Sequence, residues 1–426
     1  TLKSDWSLRS DLGSFSVGAL LRNIDFLYDE WAGTDSLFLY DTSFWDGEQW
    51  TVEDPPTIGV LHVQPEFNFN ENEATWKMGT YAQWQAGLGQ KAQVTAGGRA
   101  DYFTATEELA MSPRVNLELF LDDETNLHMG YGKHYQYPGY YLVYRDPDDR
   151  NHNLKARFTH QFVVGIEHFF APDFRGSLEA FYKMYENLPT RYYWTNPKEE
   201  YPLPLEHRAH WLNAGEARSR GFELFLQKKM TQNWHLLLSY AWSHSQAKDM
   251  RLFFTGSGSL NDKERGGEWY DWDYDIRHQL TFIGGWKKKF HKEVWYQELK
   301  KKKWFRIAST VLGPLNPLAD EVELNVRFGY NSGRPYTERT YFPELRDWVA
   351  TEDADWNSLR FPEYHRLDFM FLQRWMLPKM NIVTYVDIMN IYDRNNIWDY
   401  AYSSDGTREE VWQYKTVPVG GVTLEF

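Results

Sequence analysis

The sequence predicts an all-β chain, a transmembrane antiparallel β-barrel of about fifteen strands, and three observations carry that expectation. The first is a conflict in composition. Aromatic residues make up 18% of the 426 residues, yet hydrophobic residues reach only 42% and mean hydropathy is −0.66. A chain this aromatic normally hides its rings among aliphatic partners, which are too few here. A membrane barrel resolves the conflict, because each strand shows an apolar face to lipid and a polar face to the lumen, with rings collecting at the two interfaces. The second is period-two alternation with charges on one row, and the third is an alternation of short and long connections.

The alternation recurs along the chain. SPRVNLELFLD (112–122) puts Val115, Leu117, Leu119 and Leu121 on one face and Arg114, Asn116, Glu118 and Phe120 on the other. The same separation sets Leu178, Ala180, Tyr182 and Met184 against Ser177, Glu179, Phe181 and Lys183. Farther on it sets Leu367, Phe369 and Phe371 against Arg366, Asp368 and Arg374. An unpaired charge in the middle of an inward row is costly in a sandwich core, whereas in a wide barrel that row meets water or a plug. The barrel is therefore preferred to a sandwich.

Tight turns fall at 11–14, 86–90, 122–125, 171–173, 231–233 and 377–380, and long segments near 30–74, 137–155, 189–210, 248–274, 337–360 and 396–411. In bacterial barrels short turns face the periplasm and long loops face outside. Between the connections lie about fifteen strands, roughly 1–10, 14–29, 75–87, 91–106, 113–121, 125–136, 156–170, 174–188, 211–229, 233–247, 275–290, 321–335, 361–376, 380–395 and 412–426. Single-chain barrels have an even count, so the odd count suggests that at least one strand is missing from the front. No apolar run approaches the length of a membrane-spanning helix, and no signal peptide opens the chain: either a leader has been removed or the front is missing. The absence of cysteine suits an oxidising envelope compartment without establishing it.

One connection breaks the pattern. His291 to Glu321 is long where a short periplasmic turn is expected, and a small helix around 296–303 or an extended pair of strand ends would fill it. Its lysines either lie near anionic headgroups or form a solvated charged loop, which is the simpler reading.

Several stretches resemble TonB-dependent outer-membrane receptors, the plugged 22-stranded transporters. They are GTYAQWQAGLGQKAQVTAGGRADYF (79–103), SPRVNLELFLDDETNLHMGYGKHYQYP (112–138), NAGEARSRGFELFLQKKMTQNWHLLLSYAWSHS (213–245), SGRPYT (332–337), HRLDF (365–369), DIMNIYDRNN (387–396) and the closing GGVTLEF, in family order. The resemblance covers most of the chain outside the loops. It implies that 1–426 is the C-terminal portion of the barrel, about strands 8–22, with the plug and about seven strands absent from this sequence. It further implies a place in the cell outer membrane, in contact with its lipid. TonB and its inner-membrane energising complex would be reached through the missing N-terminal region. The barrel-assembly machinery would read the terminal Phe426; the carboxypeptidase-regulatory-like and SusC-like branches of the family are both open, and a surface lipoprotein partner follows if the SusC-like branch applies.

The loops supply the candidate ligand contacts. The first, 31–74, is rich in acids and aromatics and contains no Lys or Arg, which disfavours an anionic ligand; the net charge of −14 likewise argues against nucleic acid. Trp45, Trp50, Tyr140, Tyr141, Tyr144, Tyr192, Tyr193 and Trp194 are candidates for stacking on sugar faces or an apolar ligand, the alternative being girdle or loop packing. DPDDRNHN (146–153) and EWYDWDYD (268–275) are acidic enough to attract a divalent cation, but neither has EF-hand spacing and a solvated loop is the simpler reading. His128 and His134 share the inward face about 20 Å apart, too far for one metal, and Ser243 and His244 point to opposite faces. No catalytic residue, cofactor or metal is expected. The reading is an active transporter, not an enzyme, with a glycan or oligopeptide cargo. The alternatives are a ferric-siderophore receptor of the same fold and a non-transport barrel scaffolding a surface partner.

Overall fold

The computed structural model describes residues 1–32, 35–41, 44–45, 50–51, 57–64, 67–144, 151–195, 211–248, 251–255, 267–312, 318–343, 346–349 and 356–426. Fifteen strands run as an antiparallel meander in which each pairs with its sequence neighbours. They are β1 (Leu2–Ser10), β2 (Gly13–Ala32), β3 (Phe67–Gly87), β4 (Ala92–Phe103), β5 (Glu108–Phe120), β6 (Thr125–Gln136), β7 (Arg157–Ala171), β8 (Phe174–Thr195), β9 (Trp211–Thr231), β10 (Trp234–Lys248), β11 (His278–Lys288), β12 (Glu321–Asn331), β13 (Tyr364–Met376), β14 (Asn381–Met389) and β15 (Val417–Glu425). Two short pieces, Arg251–Thr255 and Tyr270–Asp271, bring the sheet to 17 strands; the first pairs in parallel with the end of β8. The outermost strands β1 and β15 pair only with β2 and β14, so the sheet is not closed into a barrel. Among the described residues no helix is long and apolar enough to cross a membrane, which says nothing against crossing by strands.

The register sorts the residues as the alternation requires. On the outward face Leu8 lies beside Phe15, Trp6 beside Val17 and Leu2 beside Leu21. The band continues through exposed Met78, Val115, Met129, Phe162, Val164, Leu178 and Phe222. Near the tight turns it ends in a girdle: Trp84 donates from Nε1 to the Leu12 carbonyl at 2.9 Å, and Trp234 and Trp286 are cross-strand neighbours. Rings with one polar atom suit this depth, where the hydrocarbon meets headgroups. The inward face carries the charges and pairs them laterally. Arg99 meets Asp101 at 2.5 Å, Arg175 meets Glu167 at 2.9 Å, Lys287 meets Glu321 at 3.3 Å, and Arg374 hydrogen-bonds Glu425. His128 approaches Glu179 at 3.3 Å on the same face.

The tight turns fall where expected. In the two-residue turn between β9 and β10, Gln232 and Asn233 have φ of 51° and 71°, the left-handed pair that matches the twist of a hairpin. Three expectations need correction. The segment 31–74 is mostly ribbon, since β2 and β3 stay paired out to Ala32 and Phe67 and a further hairpin joins Asp35–Asp41 to Thr57–Gln64. The last strand begins at Val417 and not at 412. Trp412 closes a separate hairpin, Ile397–Tyr402 with Arg408–Trp412, because Thr416 is held out of the strand by its N–H to Asp393 Oδ1 at 3.0 Å and its hydroxyl to the Asn390 carbonyl at 2.7 Å.

The third correction concerns the anomalous connection, where the small helix expected around 296–303 is present and a second helix follows it. The five-residue α1 (Tyr140–Tyr144) belongs to a long loop, whereas α2 (Val294–Lys301) and α3 (Lys303–Leu312) sit at the tight-turn rim. Extended backbone at Lys302 separates them. The hairpin is rooted by two buried rings, Tyr296 and Phe305, 6.1 Å apart. The Tyr296 hydroxyl donates to the Leu318 carbonyl at 3.3 Å. Asp320, itself buried, takes Lys300 Nζ at 2.7 Å and the Met376 N–H at 2.8 Å, which fastens the helices to β13. Burial and the neighbouring Asp320 carboxylate push the Tyr296 phenol well above its usual range.

Candidate ligand-binding rim

At the long-loop end, EWYDWDYD places Asp271, Asp273 and Asp275 at alternate positions, and the fold gathers Asp271 and Asp275 over the end of β10. Tyr270–Asp271 adds beside Ala247 and Gln246. The chain then turns, with the Asp275 N–H donating to the Trp272 carbonyl at 2.8 Å. Asp275 is fully buried. Its carboxylate accepts from the Ser245 N–H at 2.7 Å and from Arg277 at 2.9 Å, and Arg360 bridges it to Asp271. His244 Nε2 lies 3.1 Å from Asp271, and Asn357 Nδ2 donates to the Asp271 carbonyl at 2.8 Å and to Asp273 at 2.6 Å.

A buried carboxylate survives only when paired and hydrogen-bonded, and both conditions are met here. Burial opposes the charge of Asp271, but hydrogen bonds from Arg360 and His244 outweigh it and hold the carboxyl below its ordinary range. The two loops that meet here, 268–277 and 332–363, are thus tied to the sheet through one charged knot. Glu268 and Asp273 are exposed, as a solvated loop requires, but Asp271 and Asp275 are neutralised by two guanidinium groups, and among the described residues no group of three or more ligating side chains is placed to hold a metal. In the other acidic stretch, 145–150 lies outside the described residues, and His152 Nδ1 sits 2.7 Å from the Ala105 carbonyl. Ser243 donates to the Ile276 carbonyl at 3.2 Å, so it and His244 take separate structural partners.

Beside the knot, rings from three segments interlock. Tyr336 packs on Phe361 with centroids 4.6 Å apart, and Phe361 stacks on Tyr400 at 5.0 Å. Arg334 lies 4.8 Å over Phe361 and donates to Asp399 at 3.0 Å, Arg408 lies 4.7 Å over Tyr400, and Arg339 lies 5.3 Å over Tyr402. Trp348 Nε1 donates to the Ser403 carbonyl at 3.1 Å and the Tyr341 hydroxyl to the Ser404 carbonyl at 2.7 Å. The hairpin 397–412 is thereby clasped to the 332–363 loop by cation–π contacts and tilted or stacked ring pairs. Burial, with Tyr400 beside it, pushes the Tyr336 phenol above its ordinary range.

The aromatic residues singled out from the sequence fall in three separate places. Trp45 and Trp50 face each other across a two-residue strand pair at the tip of the first ribbon, with side chains outside the described residues. Tyr192, Tyr193 and Trp194 lie on the end of β8 that pairs in parallel with Leu252, Phe253 and Phe254, and their side chains are also outside the described residues. On α1, Tyr140 stacks on Phe26 at 4.7 Å and its hydroxyl lies 2.9 Å from that of Thr75. Tyr144 is buried with Phe103, Ala105 and Val143, while Tyr141 is half exposed. The Lys77 ammonium lies 4.4 Å over the Phe103 ring in the same cluster. The rim residues missed from the sequence are Arg277, Arg360 and the rings of the clasp. Arg277 was readable as the cation two places after Asp275, whereas Arg360 lies 85 residues away with no local signal.

An antiparallel meander with an apolar outward band, a charged inward face, tight turns at one rim and built-up loops at the other defines a bacterial outer-membrane β-barrel. The chain belongs to the TonB-dependent receptor family: the profile described as "TonB dependent receptor-like, beta-barrel" matches residues 3–391. No curated protein matches the sequence. Among solved structures it is similar to FpvA of P. aeruginosa bound to heterologous pyoverdines (13% identity, TM-score 0.58, covering 99% of this chain and 47% of that one). It is also similar to the ferric enterobactin receptor PfeA of Pseudomonas aeruginosa in complex with enterobactin (14%, 0.56, 92% and 48%). A third is the outer membrane transporter YddB of Escherichia coli (12%, 0.55, 99% and 52%). These likenesses are of fold. The chain spans about half the length of the solved receptors it matches.

Proposed function

We propose that this barrel is the outer-membrane part of a TonB-energised importer whose external rim binds an uncharged, hydroxyl- or amide-rich substrate, a glycan or an oligopeptide. The observation that carries the reading is the charge balance of the rim: the guanidinium groups of Arg277, Arg360 and Arg334 each meet an aspartate. Apart from Arg339 and Arg408, the clasp beside the knot presents rings and hydrogen-bonding groups, suited to sugar faces and peptide planes. The Lys- and Arg-free stretch 31–74 points the same way. In cells producing the full-length receptor, labelled oligosaccharides or oligopeptides should accumulate, and accumulation should vanish when TonB is deleted. Uptake confined to ferric siderophores would sink the cargo assignment, and TonB-independent uptake would sink the energising step.

One observation favours the ferric-siderophore reading instead. Arg339 and Arg408 are exposed, stacked on Tyr402 and Tyr400, and carry no carboxylate partner among the described residues. That pair would suit an anionic chelate, and the same uptake assay separates the two cargoes.

Phe426 takes the role of an assembly signal in this reading. It follows Val422 and Leu424 on the outward face of β15 and is exposed. Deleting it should leave synthesis unchanged and sharply reduce the folded, heat-modifiable form in the outer membrane. Undiminished folded receptor in the deletion would remove that role from Phe426.

A further inference from the structure

We propose that α2 and α3 form an interfacial anchor, seated in the periplasmic leaflet of the outer membrane with their apolar side among acyl chains and their lysines on the phosphates of anionic phospholipid. Three observations converge on that occupant. The first is an apolar face with nothing on it. In α3, Trp304, Ile307 and Val311 recur at helical spacing and are 60%, 65% and 78% exposed, and in α2 Val294 and Trp295 are exposed as well. The buried side of the hairpin is already satisfied by Tyr296 and Phe305, so the outer side is a second apolar surface and not a displaced core. Two tryptophans within it suit the headgroup boundary, where indole is enriched.

The second is charge. Between positions 289 and 306 there are seven Lys or Arg against two Glu, in a chain whose net charge is −14. Lys301 pairs with Glu298 at 2.5 Å and Lys300 with Asp320, but Lys292, Lys302 and Lys303 have no carboxylate partner among the described residues. Cations flanking an apolar helical face are the pattern of a helix lying on an anionic membrane surface.

The third is position. Phe305 and Arg306 line a cleft of about 490 Å³ whose far wall is Met376, Ile382, Thr384 and Val422. Ile382, Thr384 and Val422 lie on the outward face of β14 and β15, as the register with Leu424 and Val422 requires. The helices therefore sit against the lipid-facing side of the sheet, at the rim of the tight turns, and not across the lumen. Their exposed face continues the lipid band at the depth where hydrocarbon gives way to headgroups. An anchor at this point would fix the tilt of β12–β15 against the leaflet while the long loops at the other rim move.

The experiment uses the full-length receptor reconstituted in phosphatidylethanolamine vesicles with or without phosphatidylglycerol. The described chain contains no cysteine, so Ile307→Cys carries a bimane label, with Asp405→Cys at the opposite rim as the aqueous control. Acyl-brominated lipid should quench the label at 307 and not the one at 405, while iodide should do the reverse. Quenching should strengthen with phosphatidylglycerol, and the Lys302→Gln/Lys303→Gln pair should weaken that preference by on the order of fivefold for each charge removed. Full iodide access at 307 without quenching by brominated lipid would overturn the anchor. Lipid quenching that is indifferent both to phosphatidylglycerol and to the two lysines would overturn the anionic-headgroup contact.

Discussion

Asp275→Ala should open the extracellular rim while leaving the barrel sheet folded. The substitution removes the only fully buried carboxylate of the knot and leaves Arg277 and Arg360 sharing Asp271, which is partly exposed and already engaged by His244. Removing one partner of a fully buried ion pair destabilises by about 3–5 kcal/mol; Arg277 and Arg360 are 29% and 30% exposed and keep Asp271, so the low end of that range, about 3 kcal/mol, is the most that is expected here. Here the loss falls on the docking of the 268–277 and 332–363 segments and not on the strand ladder. Trypsin added to intact cells should therefore cut these loops up to about two orders of magnitude faster when cleavage samples the opened state. Heat-modifiable mobility, which reports the sheet, should be retained. Asp275→Asn should fall between the two, since its amide oxygen still accepts from the Ser245 N–H but carries no charge. Trypsin sensitivity of Asp275→Ala equal to that of the parent would show that the knot does not hold the loops.

The same knot fixes a pH dependence with a definite sign. Asp271 is held below its ordinary value of 3.8. A carboxyl lowered on folding stabilises the docked loops fully above that value and loses the contribution as pH falls through its depressed value. Loop protection should be flat from neutral pH to about pH 5 and collapse only in stronger acid, read by trypsin toward neutral pH and by pepsin in acid on whole cells. A collapse between pH 6 and 7 would show that Asp271 does not control the docking of the loops.

How much of this was legible in the sequence follows from the range of the forces involved. The existence, order and facing of the fifteen strands were readable, because lipid on one side and water on the other impose period two over the membrane thickness. Their ends were not, several lying five to eight residues from the expected bounds, because that period does not mark where a strand stops. Val115, Leu117 and Leu119 face out against Arg114, Asn116 and Glu118 without help from any distant residue. Strand ends set by remote bonds were not readable. Trp412 alternates as well as any strand residue, and only the bonds of Thr416 to Asp393 and Asn390 show that β15 starts later. The acid-rich composition of 31–74 concealed the continuation of β2 and β3, whose pairing there is made by backbone groups indifferent to side-chain charge. The carboxylates of the rim were visible and their partners were not, because Arg360 reaches Asp275 across 85 residues. Composition alone therefore pointed to solvated acids where the fold builds a neutralised knot.

Gly333→Val should unfasten the aromatic clasp, and the effect should spread from one backbone contact. A Cβ at position 333 would coincide with the carbonyl oxygen of Phe361, an atom with no freedom to step aside. Phe361 is fixed on both sides, by its N–H to the Arg334 carbonyl at 3.0 Å and by its ring between Tyr336 and Tyr400. The next residue back, Arg360, donates to the Gly333 carbonyl at 3.0 Å as well as to Asp271 and Asp275. Backing the two chains apart thus loosens the stack and the knot together. Overpacking of this kind costs roughly 1–3 kcal/mol, and more where backbone must move. Smaller losses are expected for Tyr336→Leu, which removes the ring contacts with Phe361 and Tyr400 but leaves the backbones in place. Trypsin digestion of intact cells should rank the variants Gly333→Val, then Tyr336→Leu, then parent in order of falling loop cleavage, all with normal heat-modifiability. If Tyr336→Leu exceeded Gly333→Val, the clasp would be held by its rings and not by the close backbone approach at Gly333.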